Sequence, residues 1–243
     1  MLKQEIFTVD KNIQIAKDVF LLRMFGKTDA ITAPGQFVNI ALPGFYLRRP
    51  ISVADTEDGV LTLIYKVVGR GTESMKGLQR GSELDILTGL GNGFDTSKSG
   101  NTPLLVGGGV GVPPLYYLAK QLIAQGKNPR AVFGFASSQD IFFVNEFEAL
   151  DCPVSVTTVD GTAGTRGIVT DVLPSDYSFF YACGPLPMLK ALKNATKTSG
   201  ELSLEERMGC GFGACMGCSI ETAKGPKRVC KDGPVFEKED LLW

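Results

Sequence analysis

Four cysteines near the end of the chain, Cys210, Cys215, Cys218 and Cys230, follow a C-x4-C-x2-C-x11-C spacing in a stretch crowded with glycine. This is the plant-type spacing of a [2Fe–2S] site, where closely set thiolates wrap one edge of a small inorganic cluster. Gly211, Gly213 and Gly217 allow backbone N–H groups to turn towards the sulfurs, and such bonds help to set a reduction potential. Cys230 is expected to close the cage from across a hairpin-like return through Lys224-Gly225-Pro226-Lys227. Four thiolates also satisfy a tetrahedral zinc site, although zinc ribbons usually bring two C-x2-C pairs farther apart. A disulfide framework is the weakest reading, because clustered cysteines in a reducing cytosol more often hold metal or do redox chemistry.

A second motif is Val106-Gly107-Gly108-Gly109-Val110-Gly111-Val112-Pro113-Pro114, a strand entering a glycine turn at a helix start. Phosphate oxygens can approach such a backbone closely and meet the positive end of the helix dipole. Pro114 stands where a G-x-G-x-x-G fingerprint has its third glycine, so a purely structural turn stays open as the alternative. The acidic residue that contacts a ribose is missing from its usual place, and Asp140 is the nearest substitute, equally readable as a helix N-cap. Because Phe135-Ala136-Ser137-Ser138-Gln139-Asp140 has no basic residue, NAD(H) is expected over NADP(H). Lys127 and Arg130 precede that strand and belong at its other end.

Earlier in the chain, Leu47-Arg48-Arg49-Pro50-Ile51-Ser52 and Lys66-Val67-Val68-Gly69-Arg70-Gly71-Thr72 offer a planar guanidinium fork together with N–H and O–H donors. These suit a pyrophosphate, and each segment taken alone reads as well as a solvated basic turn.

Composition narrows the field. The 243 residues are 44% hydrophobic and 21% charged with a formal net charge of −1, which suits a globular chain and offers no basic surface for nucleic acid. There is no histidine, so Ser-His and Cys-His catalysis, haem ligation through His, Rieske clusters and His-based zinc hydrolysis are all excluded. Met1-Leu2-Lys3-Gln4-Glu5-Ile6 shows no signal-peptide core, and the longest apolar run, Pro103 to Ala119, is broken by glycines and by Pro113 and Pro114. A cytoplasmic protein without a membrane span is expected.

The elements that must position these motifs fall into three groups. Residues 1–98 carry short β-rich runs separated by Pro, Gly and Asp turns, which predicts an antiparallel β-barrel or sandwich. The polar passage Asp95 to Asn101 is the expected boundary. Residues 99–200 alternate strand and helix, with helices expected over 112–125, 145–150 and 188–197, and so predict a parallel sheet covered on both faces. Residues 201–243 hold the four cysteines and are too few to build a core, so this small C-terminal iron–sulfur domain should depend on its cofactor and its neighbours.

Arg49-Pro50-Ile51-Ser52, the Gly109-x-Gly111-x-x-Pro114 turn and Ala182-Cys183-Gly184-Pro185 occur in the order seen in ferredoxin-NADP reductase-like flavoproteins. With Glu205-Glu206-Arg207-Met208-Gly209-Cys210-Gly211-Phe212-Gly213-Ala214-Cys215 and Val229-Cys230-Lys231-Asp232-Gly233-Pro234, the whole chain resembles the electron-transfer subunits of type B dihydroorotate dehydrogenases. The resemblance implies an N-terminal FAD barrel, an NAD-binding α/β domain and a [2Fe–2S] domain. It implies FAD held by Arg49, Pro50, Ile51 and Ser52, by Lys66, Val67 and Val68, and by Gly71 and Thr72, with Arg49 facing the pyrophosphate and Ser52 near flavin N5. The same resemblance implies that Cys210, Cys215, Cys218 and Cys230 ligate the cluster, and that Gly109, Gly111, Cys183, Gly184 and Pro185 border the nicotinamide. Cys183 reads equally as a small buried hydrophobe, and Cys152 matches no motif. The implied partner is an FMN-bearing catalytic subunit in a heterotetramer of two copies of each chain. A stand-alone NAD(P)H reductase serving a hydroxylase, hydrogenase or ferredoxin shares the fold and cofactors and is the alternative.

Overall fold

The computed structural model describes residues 2–243. Six strands, β1 (Lys3–Ala16), β2 (Val19–Phe25), β3 (Phe37–Ile40), β4 (Arg49–Glu57), β5 (Val60–Lys66) and β6 (Glu83–Leu90), close into an antiparallel barrel in the order β1-β2-β5-β4-β3-β6. Alternation drives the closure: in β6, Leu84, Ile86, Thr88 and Leu90 are buried while the residues between them are more open. A short helix, α1 (Arg70–Met75), follows β5.

The next strands are β7 (Pro103–Gly108), β8 (Arg130–Phe135), β9 (Val154–Thr158), β10 (Thr165–Arg166), β11 (Phe179–Cys183) and β12 (Gly200–Ser203). Between them lie α2 (Pro113–Ala124), α3 (Val144–Glu148) and α4 (Leu186–Ala195), each within about two residues of the helix expected from sequence. In α2 the prolines occupy the first turn, where no N–H is needed, and Leu115, Leu118, Ala119 and Leu122 form one buried face. The chain then makes a hairpin of β13 (Ser219–Thr222) and β14 (Gly225–Arg228), a turn of helix α5 (Val229–Asp232), and β15 (Val235–Glu237). The large sheet has the order β10-β9-β8-β7-β11-β12-β15, parallel except for β15. The order reverses direction beside β7, so the carboxyl ends of β7 and β11 frame the crevice where open α/β sheets bind ligands.

The boundary expected at residue 200/201 falls inside β12. Gly200–Ser203 pairs with β11 and Val235–Glu237 pairs with β12, so the cysteine segment is stitched into the sheet at both ends. The reason is size: a piece this short cannot bury a core alone, and Cys218, Val229, Cys230 and Phe236 instead share one with Leu104, Val106 and Leu202.

Charged ties hold the units together. Lys98 bonds Glu201 (2.7 Å) and Glu237 (2.8 Å), and Lys224 of the hairpin turn reaches Glu237 (3.2 Å) and Asp240 (2.9 Å). Burial opposes the Lys98 charge, but its bonds to both carboxylates prevail and hold its pKa above the usual value. Burial pushes the Glu201 carboxyl up, against the pull of Lys98. On the other side Lys120 of α2 bonds Asp55 (2.9 Å) and Glu57 (3.0 Å) of β4, which ties the helix after the glycine turn to the strand that begins with Arg49. No helix among the described residues is long and apolar enough to cross a membrane.

Candidate functional site

The four cysteines come together as two pairs. Ala214 and Cys215 donate N–H bonds to Cys210 Sγ (3.2 and 3.4 Å), and the Cys210 and Cys215 side chains also hydrogen-bond. Cys218 Sγ accepts the N–H of Cys230 (3.4 Å) and bonds its thiol. Burial works against a Cys210 thiolate, yet the N–H donors prevail and lower its pKa to about 6. Burial, reinforced by Cys218, pushes Cys230 up to about 12. Four thiols gathered as two pairs are a donor set that would suit a binuclear iron–sulfur cluster. Cys215 is exposed, Cys210 intermediate, and Cys218 and Cys230 buried, so the group of thiols has an outer and an inner pair. The hairpin expected before Cys230 is present, and Arg228 at its end donates to the Gly213 carbonyl (3.0 Å) and to Asp232 (3.0 Å), joining the ligand loop to α5.

A cavity of about 260 Å³ lies where barrel, glycine turn and cluster segment meet. Pro50, Ile51 and Ser52 line one wall, Val110 and Cys183 a second, and Glu205 and Met208 a third. Lys66 and Val68 stand at its rim, Val68 being 80% exposed. Arg49 turns away from the barrel interior: Nη1 bonds the carbonyls of Leu47 (2.8 Å) and Arg48 (3.2 Å), and the guanidinium lies 5.0 Å from the Phe45 ring centroid. It covers Gly71 so closely that a Cβ there would sit 2.0 Å from Arg49 Nε. The structure thus brings Arg49 and Gly71 together. The Thr72 hydroxyl is engaged locally, accepting N–H bonds from Val68 (3.0 Å) and Gly69 (3.3 Å). Val67 donates its N–H to the Asp18 carbonyl (2.8 Å), anchoring the same loop.

Arg48 has a different task. It forks onto the Asp85 carboxylate (3.0 and 2.8 Å) and bonds the carbonyls of Asp85 (3.0 Å) and Asn39 (3.3 Å). Those bonds hold the Asp85 carboxyl below its usual pKa. Arg48→Ala is therefore expected to keep FAD but to lose about 1–2 kcal/mol of stability near neutral pH. The folded-state pKa of Asp85 is depressed, so its share is present above the unfolded value of about 4 and fades as pH falls through the folded one. Thermal melts of both proteins at neutral and strongly acidic pH check this; a deficit unchanged by acid contradicts it.

A larger cavity, about 410 Å³, opens at the carboxyl ends of β7, β8 and β9. Gly108, Gly109, Phe135, Thr157, Pro185 and Met188 line it, with Gly108 packed against Pro185 and Met188, and Lys66 lines both cavities. Of the residues expected at the nicotinamide, Gly109 and Pro185 lie here and Cys183 lies in the smaller cavity. Gly111 serves packing, for a Cβ there would meet the Cys183 carbonyl at 2.1 Å, and Gly184 is pressed against Gly108 and Met188. Cys183 is fully buried and its thiol is pushed up to about 12 by burial, as is that of Cys152, so both are inert as nucleophiles.

Asp140 lines the larger cavity and accepts the Ser137 hydroxyl (2.7 Å), which occupies that serine. Lys127 bonds Ser99 (2.9 Å) and Arg130 pairs with Asp176 (3.1 Å), both at the far end of the sheet as expected. NADPH is expected to give a kcat/KM at least about tenfold below NADH in dye reduction, since a 2′-phosphate would meet the Asp140 carboxylate. Arg166→Ala is the control. Parallel pairing sets this exposed arginine opposite Thr158 at the same end of the sheet, a proximity the sequence did not suggest. Comparable efficiency with NADPH would overturn the expectation.

Among the cavity-lining residues that the sequence reading did not assign to the site are Val110, Met208 and Glu205. Val110 and Met208 are apolar and carry no signal. Glu205 stands in the run just before the cysteines, lining the smaller cavity while remaining exposed to solvent.

Comparison with known proteins agrees with this geometry. Residues 205–242 match the family model for the iron–sulfur cluster binding domain of dihydroorotate dehydrogenase B, and residues 105–194 match the oxidoreductase NAD-binding domain. The electron transfer subunit of dihydroorotate dehydrogenase B (NAD(+)) from Lysinibacillus sphaericus is 45% identical, with 98% of both chains covered. The subunit of that name from Fusobacterium nucleatum is 42% identical, with 99% of both covered. Among solved structures, an NADH-dependent reduced ferredoxin-NADP oxidoreductase is 32% identical with a TM-score of 0.88 over 98% of this chain and 90% of that one. The ferredoxin reductase of carbazole 1,9a-dioxygenase shares the fold at a TM-score of 0.68 and 22% identity, over 80% of this chain and 65% of that one. Identities of 42% and 45% over almost the full length of both chains settle the family: the chain belongs to the electron transfer subunits of dihydroorotate dehydrogenase B (NAD(+)).

Proposed function

We propose that this chain carries electrons from a catalytic dihydroorotate dehydrogenase subunit, through a [2Fe–2S] cluster and FAD, to NAD+. The observation that carries the reading is the smaller cavity, whose walls are Pro50, Ile51 and Ser52 of β4, Val110 of the glycine turn and the segment leading to Cys210. When bound, the cluster handles single electrons and FAD converts between single electrons and the hydride pair that nicotinamide exchanges. Cys210, Cys215, Cys218 and Cys230 would hold the cluster. Arg49, with Gly71, Thr72 and the Lys66-Val67-Val68 run, would hold FAD, its free guanidinium nitrogens offered to the pyrophosphate. Pro50, Ile51 and Ser52 would wall the flavin ring, and Gly109, Gly184 and Pro185 the nicotinamide.

Electrons would enter on the outer side of the cluster. Phe212 (46% exposed) and Met216 (55% exposed) flank exposed Cys215 and offer an apolar surface to a partner. We assign that partner as an FMN-bearing subunit, in an assembly of two copies of each chain. No substrate acid–base pair is required in this chain, because dihydroorotate would be oxidised on the partner.

Anaerobic co-purification of the tagged chain tests the reading. The expected result is a companion carrying FMN, and dihydroorotate-dependent NAD+ reduction that requires both chains. The strong likeness to the NADH-dependent ferredoxin-NADP oxidoreductase keeps one rival. Ferredoxin reduction by the isolated chain at a rate that no companion increases would favour a stand-alone reductase.

A further inference from the structure

Asn39 lies in the middle of the junction between the barrel and the cluster loop. It is 1% exposed on β3, opposite Pro50 of β4 and Leu87 of β6. Its neighbours Val38 and Ile40 point into the barrel core, whereas Phe37, two residues away and on the same face as Asn39, packs into the apolar cluster that holds Cys218, Val229 and Cys230. An amide therefore stands where the surroundings favour an aliphatic side chain. Its Nδ2 donates to the Cys210 carbonyl at 3.2 Å, and its Oδ1 has no partner among the described residues. Leaving a buried acceptor unpaired costs free energy that an apolar side chain of similar size would avoid.

The cluster loop is shaped around this amide. Gly211 adopts φ +79°, which L side chains rarely do, and a Cβ there would come within 2.4 Å of Asn39 Nδ2. The Cys210 carbonyl that Asn39 holds opens the turn whose Ala214 and Cys215 N–H groups bond Cys210 Sγ. On the other side, the Asn39 backbone pairs with the strand whose Pro50, Ile51 and Ser52 line the smaller cavity.

We infer that Asn39 is a positioning residue for electron transfer between the cluster and the flavin: it sets the main chain of the outer ligand Cys210 against the flavin strand, and through it the N–H bonds to sulfur. Asn39 itself moves neither electrons nor protons. The inference rests on reading the four cysteines as cluster ligands.

The test uses the full chain, reconstituted anaerobically, in Asn39→Leu and Asn39→Ser forms. Leu keeps the size and removes the donor; Ser removes overpacking as an explanation. Both variants are expected to retain FAD and thermal stability close to wild type. They should share an altered EPR spectrum of the dithionite-reduced cluster and a shifted cluster potential, with NADH-driven reduction of the cluster slowed about tenfold or more in stopped flow. Wild-type EPR, potential and rate in either folded variant would overturn the inference. So would collapse of FAD content and melting temperature together with the cluster in both, because the amide would then serve the fold. Absence of iron and acid-labile sulfide from the wild-type protein would instead defeat the cluster reading itself, which keeps the two failures distinct.

Discussion

Cys215→Ser is expected to strip iron and acid-labile sulfide from the protein while sparing most of its FAD. Cys215 is the exposed member of the outer thiol pair, so its loss leaves Cys210 as the sole outer ligand and opens that side to water. Thiolate ligation contributes folding energy as well as affinity, and the ligand loop should loosen without it. The rest of the tail should stay in place. β12 and β15 remain paired in the sheet, Lys98 still bridges Glu201 and Glu237, and Cys218, Val229, Cys230 and Phe236 keep their apolar neighbours. Dye reduction by NADH should therefore persist, while dihydroorotate-driven NAD+ reduction in the assembled enzyme falls roughly 100-fold or more. Iron and sulfide assays with parallel flavin and rate measurements decide the matter. Stoichiometric zinc without iron in anaerobically purified wild-type protein would sink the assignment.

Arg49→Ala should weaken FAD binding by about 2–3 kcal/mol, equivalent to roughly 30- to 150-fold in Kd. The side chain is half-buried, folded over Gly71 and braced by Phe45, with one nitrogen spent on its own loop, so its remaining fork is oriented before any ligand arrives. Preorganisation of this kind makes removal costly, because no other cation replaces it from the same strand. Arg48→Ala is the internal control, since Arg48 is committed to Asp85 and to the barrel wall. Flavin titration of the two apoproteins should separate them widely; equal FAD loss would show that the pyrophosphate lies elsewhere.

The contrast between these two adjacent arginines shows how far a linear reading reaches. Alternation along a strand separates their sides, but only the barrel order, which lays β3 between β4 and β6, gives Arg48 its partner in Asp85. The gathering of the four cysteines into two thiol pairs was foreshadowed by spacing within one short segment, and the strand, glycine turn and helix by the same kind of local signal. Helices α2 and α4 were visible through local periodicity and proline placement. The pairing of Gly200–Ser203 with β11 and β15 was not legible, because it depends on strands distant in the chain.

What the sequence determined by itself was therefore the local chemistry: a plant-type cysteine loop, a phosphate-suited turn, a basic R-P-I-S strand, and no histidine to support other catalysis. The tertiary structure alone decided how these meet. Docking of the tail on the barrel brings Cys210 to Asn39 across 171 residues of chain, and the packing of barrel, glycine turn and tail creates the cavity that joins Ser52, Cys183 and Glu205. It also brought Arg166 to the nucleotide end of the sheet. The physical reason is that spacing and periodicity are properties of neighbouring residues, whereas strand register and the closing of a cavity depend on contacts between segments far apart in the chain.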